Sequence, residues 1–258
     1  MKVLMFGWEF PPHISGGLGT ACYGITKALS DYRDIDLTFV VPKTYGNEPV
    51  ENMKLIGANQ VNLIKSKIKT ERFKAPYTCI SVKSGMVPYT DPEDFKKWYK
   101  SEKKDPTSSA AEKLKSIKFT GKYNPDLMTE IHNFSVVAEH IAKQTDHDII
   151  HAHDWLTFPA GILAKKISGK PLIIHVHATD FDRSGGKANP DVFKIEKAGM
   201  NAADGIITVS NHTRAIVQKK YTIDPNKIIT VHNGVEPFNI DKTPPKHSFR
   251  KNKIVTFL

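Results

Sequence analysis

Short, nearly uninterrupted apolar runs alternate along this chain with longer stretches whose apolar residues recur every three or four positions. The runs at 2–6, 36–41, 148–151, 171–176, 205–209 and 227–231 read as strands. The stretch 18–30 reads as a helix, with Leu18, Ala21, Cys22, Ile25 and Leu29 at helical spacing. Helices are likewise expected at 127–143, 156–167, 192–203 and 212–220. The strands are continuous runs and not alternating ones, which is the pattern of parallel strands covered on both faces. A strand–helix rhythm of this kind implies right-handed crossovers. The expected fold class is therefore α/β, with a doubly wound, mainly parallel Rossmann-like sheet.

Residues from about 43 to 128 break the rhythm. They are polar and carry turn signals at Asp91-Pro92, Asp105-Pro106 and Asn124-Pro125, while Phe95, Trp98 and Tyr99 point to a short, locally packed helix. We read the region as an insertion at one edge of the sheet, within a domain spanning 1–235. Residues 236–250, with Pro237, Pro244 and Pro245 among many charges, read as a linker. Residues 253–258 then open what reads as a new strand, so a longer parent chain with a C-terminal domain is expected.

Composition narrows the class. The chain has 258 residues, 40% hydrophobic and 25% charged, ordinary values for a globular protein with a sizeable core. No apolar run approaches the ~18 residues of a membrane span. The first residues lack a signal-peptide cleavage site and read as a core strand. Cys22 and Cys79 have no neighbours at metal-ligand spacing, so they are expected as ordinary packed thiols in a reducing, cytoplasmic setting. The net charge of +10 is spread over lysines such as Lys65, Lys67, Lys96 and Lys103. Such a spread is a solvated face, and no nucleic-acid partner is expected.

Three clusters could carry chemistry, each just past a strand, where doubly wound folds bind ligands. Ser15-Gly16-Gly17-Leu18-Gly19 joins the first strand to a helix. Its amides and helix dipole suit a phosphate, and it equally serves as a tight turn. It matches neither the dinucleotide fingerprint nor a phosphate loop ending in Gly-Lys-Ser/Thr. In His151-Ala152-His153-Asp154-Trp155, Asp154 can accept from ligand hydroxyls or cap the next helix. In His175-Val176-His177-Ala178-Thr179-Asp180, His177 can donate to a ligand or serve as a structural hydrogen-bonding residue. The two His-x-His pairs could place two imidazoles on one strand face for zinc, with Asp154 as a third ligand. A strand crossing the core explains His151 and His175 without an ion, and no metal is expected.

The segment from Trp8 to Gly19, followed in order by His153-Asp154-Trp155, His177, Ala203–Ser210 and Val231-His232-Asn233-Gly234-Val235, resembles glycogen and starch synthases. The resemblance covers most of the chain outside the insertion. It implies the N-terminal half of a GT-B fold, two Rossmann-like domains facing a cleft, with retaining transfer of glucose from ADP-glucose, or else UDP-glucose, to an α-1,4-glucan. It implies no cofactor and no bound metal. It places Gly16, Gly17 and Leu18 against the donor, His177 as the catalytic residue beside the reacting sugar, and Asp154, Trp155 and Thr179 on the acceptor side. Ser15 stands where many bacterial members carry a lysine, which loosens the donor assignment. Most nucleotide contacts in the family come from a C-terminal domain, so these 258 residues alone are expected to be inactive. Related transferases of other sugars, and a glucan- or partner-binding module without catalysis, are the alternatives.

Overall fold

The computed structural model describes residues 1–61, 119–123 and 126–234. It contains one open sheet of seven strands, ordered β3-β2-β1-β4-β5-β6-β7. These are β1 (Lys2–Phe6), β2 (Asp36–Val41), β3 (Lys54–Gly57), β4 (Ile149–His153), β5 (Leu172–Val176), β6 (Gly205–Thr208) and β7 (Ile228–Thr230). Every pairing is parallel. The expected fold class, an α/β doubly wound Rossmann-like sheet, is the one observed.

Alternation along the strands divides the core between two faces. Val3, Met5, Leu37, Phe39 and Val41 pack with Cys22 of α1 (Gly17–Ser30) on one face. Leu4, Phe6, Ile150, Ala152, Leu172, Ile174 and Ile206 point to the other. There they meet α2 (Leu127–Gln144), α3 (Phe158–Ser168), α5 (Pro190–Ala202) and α6 (Asn211–Tyr221). Trp8 and Phe6 both meet the Phe134 ring edge to face, at centroid distances of 5.9 and 6.1 Å. Such pairs contribute about 0.5–1.5 kcal/mol beyond their burial. Local signals set the helix ends: Asn189 caps α5 through Asp191 N, Ser210 caps α6 through Thr213 N, and Gly169, at φ 70°, ends α3. None of the helices among the described residues is long and apolar enough to cross a membrane.

Several expectations shift. β4 runs two residues beyond 151, through His153, because the alternation His-Ala-His is strand-like although its polarity looked like a strand's end. β3 lies inside the expected insertion and adds an edge strand beside β2. A one-turn helix, α4 (Asp180–Arg183), was not foreseen. The last strand is shorter than 227–231, since Pro225–Lys227 forms a 3-10 turn first. Cys79, the helix near 95–99, the three turn signals, the linker at 236–250 and the strand at 253–258 fall outside the described residues.

The strand order reverses between β1 and β4, whose next neighbours in sequence lie on opposite sides. Such switch points open a crevice at the carboxyl edge. The loops after β1, β4 and β5 all end there.

Candidate active site

The loop after β1 folds on its own acid. Glu9 is buried and its carboxylate accepts from the amide of Ser15 at 3.2 Å and from the Ser15 hydroxyl. Gly19 lies so close that an added Cβ would meet Ile14 Cγ2 at 2.6 Å and Glu9 Oε2 at 3.0 Å. Glycine is therefore required there for packing. Gly16 precedes α1 in an extended conformation with no side-chain cap, and no acid occupies the first turn. A Cβ on Gly16 or Gly17 would meet nothing within 4 Å. The start of α1 thus presents uncapped amides beside open space, which suits an anion. Leu18 packs its side chain against both core clusters, leaving its amide as the part in the first turn.

The second half of the site is a row of four imidazoles. Met5 pairs with His151 and His153 with His175 in parallel register, so the histidines share the face of α1. His151 and His153 lie 4.3 Å apart by ring centroid, His153 and His175 5.2 Å, and His175 and His177 4.3 Å. His153 Nδ1 and His177 Nε2 share a hydrogen bond of 3.0 Å. Burial pushes all four pKa values down, His151 to about 4 and His175 to about 2; neighbouring imidazoles add repulsion at His151, His153 and His175, while at His177 Asp154 pulls upward and Arg183 pushes further down. At neutral pH the row is uncharged, because ionising one ring would strand a cation in a poorly solvated place. His177 Nδ1 is buried and is one of several ring nitrogens of the row with no hydrogen-bond partner among the described residues.

Asp154 orients the end of this row. It is 2% exposed and has a positive φ of 57°, a conformation that aspartate tolerates better than most residues. Its Oδ1 accepts from the amide of His177 at 2.7 Å, and its Oδ2 takes Arg183 Nη2 at 2.8 Å. It therefore neither caps α3 nor joins a metal-ligand set; it ties the β4 loop to the β5 loop. Arg183 also lies 3.8 Å from Glu196. Glu196 Oε1 accepts from the amide of Asp180 at 2.9 Å, and Oε2 accepts from the Tyr221 hydroxyl. Burial raises the Glu196 pKa to about 8, against the pull of the Tyr221 hydrogen bond and of Arg183. With one guanidinium between two buried carboxyls, Asp154 holds the closer ion pair, at 2.8 Å against 3.8 Å for Glu196.

Two other expected residues have structural duties. Trp155 is buried in the main apolar core. Thr179 is fully buried, and its hydroxyl donates to Asp182 at 2.9 Å in the capping box of α4, so it has no hydroxyl proton left for a sugar. Arg183 and Glu196 were missed. Glu196 left a signal, since it falls in the buried stripe Val192, Ile195, Glu196, Gly199, Met200 of α5. Arg183 left none, because its partners are 29 and 13 positions away.

The profile of glycosyltransferase family 4 matches residues 104–237, just over half of the chain. An uncharacterized glycosyltransferase of Methanocaldococcus jannaschii is 24% identical over 245 residues, covering 93% of this chain and 48% of that protein. The glycogen synthase of Mycobacterium tuberculosis is 21% identical over 241 residues, covering 92% and 49%. The chain spans about half the length of these curated relatives. Among solved structures, sucrose-phosphate synthase of Thermosynechococcus elongatus aligns with a TM-score of 0.57 at 12% identity, covering 91% of this chain and 48% of that one. The shared feature is the fold, a Rossmann-like parallel sheet of the GT-B kind. The span matched by the family profile runs through β7 and carries both histidine pairs and Asp154, so the chain belongs to glycosyltransferase family 4.

Proposed function

We propose that the chain forms the acceptor-side wall of a retaining glycosyltransferase of the glycogen/starch synthase kind. The reaction is transfer of glucose from ADP-glucose, or UDP-glucose, to an α-1,4-glucan. One observation carries this reading. The uncapped start of α1 and His177 belong to one carboxyl edge, with Cys22 Sγ of α1 within 4.8 Å of ligand atoms of His153 and His177. A diphosphate at Gly16, Gly17 and the amide of Leu18 would be held by helix-terminal N–H groups. His177, half-buried at the end of β5, would stand beside the transferred sugar as a neutral hydrogen-bonding group. Fixed donors of this kind stabilise developing charge without reorganising. Asp154 is the positioning residue: its grip on the His177 amide sets where the imidazole stands. Trp155 and Thr179 support the acceptor side by packing and by holding the α4 turn.

A C-terminal domain would supply the second wall and most nucleotide contacts, in keeping with relatives about twice as long. Ser15, in place of the lysine common in bacterial synthases, favours as second reading a related transferase with another donor sugar. Glucan elongation by the intact enzyme with ADP-glucose, UDP-glucose and GDP-mannose distinguishes them. The expected result is turnover with a glucose donor, a loss of about 100-fold or more in kcat/KM for His177→Ala, and no elongation by these 258 residues alone. Saturation by GDP-mannose alone would establish the second reading. Turnover unchanged in His177→Ala would remove the central residue, and an intact parent without turnover would point to a binding module.

A further inference from the structure

Five imidazole nitrogens in the histidine row have no hydrogen-bond partner among the described residues: Nε2 of His151 and of His153, both nitrogens of His175, and Nδ1 of His177. His153 is wholly buried and His175 is 5% exposed. Buried polar atoms are nearly always met by protein, ordered water or an ion. Transfer of a sugar needs only the His177 end of the row, so the other four nitrogens are unaccounted for by it.

We propose that His151, His153 and His175 form a binding site for a divalent transition ion of the zinc class. Each offers one ring nitrogen, and the three ligand atoms lie within 4.8 Å of one another. Tetrahedral zinc at roughly 2.1 Å from each nitrogen needs them about 3.4 Å apart, a closure that small ring rotations supply. The ligands sit on β4 and β5, hydrogen-bonded neighbours in the middle of the sheet, so the spacing is held by backbone pairing. Imidazole donors with no carboxylate in the set select zinc, cobalt or copper over magnesium and calcium. The remaining hydrogen bond has the form expected of an outer-sphere contact. With Nε2 of His153 on the ion, Nδ1–H donates to His177 Nε2, and this fixes the His153 tautomer.

A second set, Cys22, His153 and His177, meets the same distance criterion. His153 cannot use Nδ1 for that set without giving up its bond to His177. The set with three histidines is therefore favoured.

The site is tested by binding, independently of any transferase activity. The 258-residue chain is freed of metal with a chelator, then titrated with Zn2+ by calorimetry and with Co2+ by absorption. A single equivalent is expected, with a tetrahedral cobalt spectrum lacking a thiolate-to-cobalt charge-transfer band. His151→Ala and His175→Ala should each weaken binding by roughly tenfold or more. Cys22→Ala, and His212→Ala at an exposed histidine, should bind as wild type does. Circular dichroism reports whether each variant folds; if the histidine variants do not, the wild-type cobalt spectrum decides. Absence of saturable binding would overturn the proposal and leave ordered water as the partner of these nitrogens. A thiolate band, or undiminished binding in folded His151→Ala and His175→Ala, would overturn the ligand assignment.

Discussion

Glu196 is 1% exposed and faces Arg183 of α4, the Tyr221 hydroxyl of α6, the amide of Asp180 and, beyond the guanidinium, Asp154. Its pKa of about 8 against an ordinary 4.5 has a definite consequence for stability. Between those values the folded chain keeps a proton that the unfolded chain releases, so stability falls as pH rises through the window. Glu196→Gln removes the titration while keeping an acceptor for the Asp180 amide. Urea unfolding of both proteins at pH 5 and pH 9 should show the wild type losing about 4 kcal/mol relative to the variant on going alkaline. Parallel stability profiles would mean that Glu196 is ionised in the folded protein. The network also separates residues that touch a sugar from residues that hold them. His177 keeps a buried nitrogen without a protein partner, while Asp154 has both oxygens committed to protein partners.

Between elements, close packing decides where glycine is required. A Cβ on Gly199 of α5 would meet Phe158 Cβ and Cγ at 2.7 Å, near the rigid root of that side chain on α3. Alanine is the better helix former by about 0.5–1 kcal/mol, yet overpacking costs about 1–3 kcal/mol. Gly199→Ala should therefore destabilise. Gly24, in the middle of α1, has nothing within 4 Å of an added Cβ, and Gly24→Ala should stabilise by the propensity difference. Thermal unfolding of the two variants should show shifts of opposite sign; shifts in one direction would mean that α3 and α5 separate more easily than their contact implies. The same elements show what the sequence makes readable. Six of the seven strands stand out as apolar runs, most of them buried on both faces, although at the edge strand β7 Ile229 is 59% exposed. β3 does not, because its four residues at the sheet edge are mostly half-buried and lie in polar surroundings. The clusters at His153 and His177 are visible because they end strands. The Arg183–Glu196–Tyr221 contacts are not, because they depend on how α4, α5 and α6 come together. The tautomer-setting bond between His153 and His177 likewise follows from strand register, which no local pattern specifies.

At the scale of the whole molecule, the site is assembled from segments of very different separation. His153 and His177 meet across 24 positions, whereas β1 reaches its place beside β4 across 146, as in the bond from the Lys2 amide to Asp148. Closing a longer loop costs more chain entropy, and non-local parallel pairing forms slowly. The histidine half should therefore take shape before the glycine half joins it during folding. Pulse-labelled hydrogen exchange should find amides of β4 and β5 protected ahead of those of β1, and simultaneous protection would show that the sheet forms as one unit. A nascent chain following this order would present its imidazole row to passing metal ions while α1 was still unplaced, so the contents of that row would be settled before the glycine loop covers one side of it.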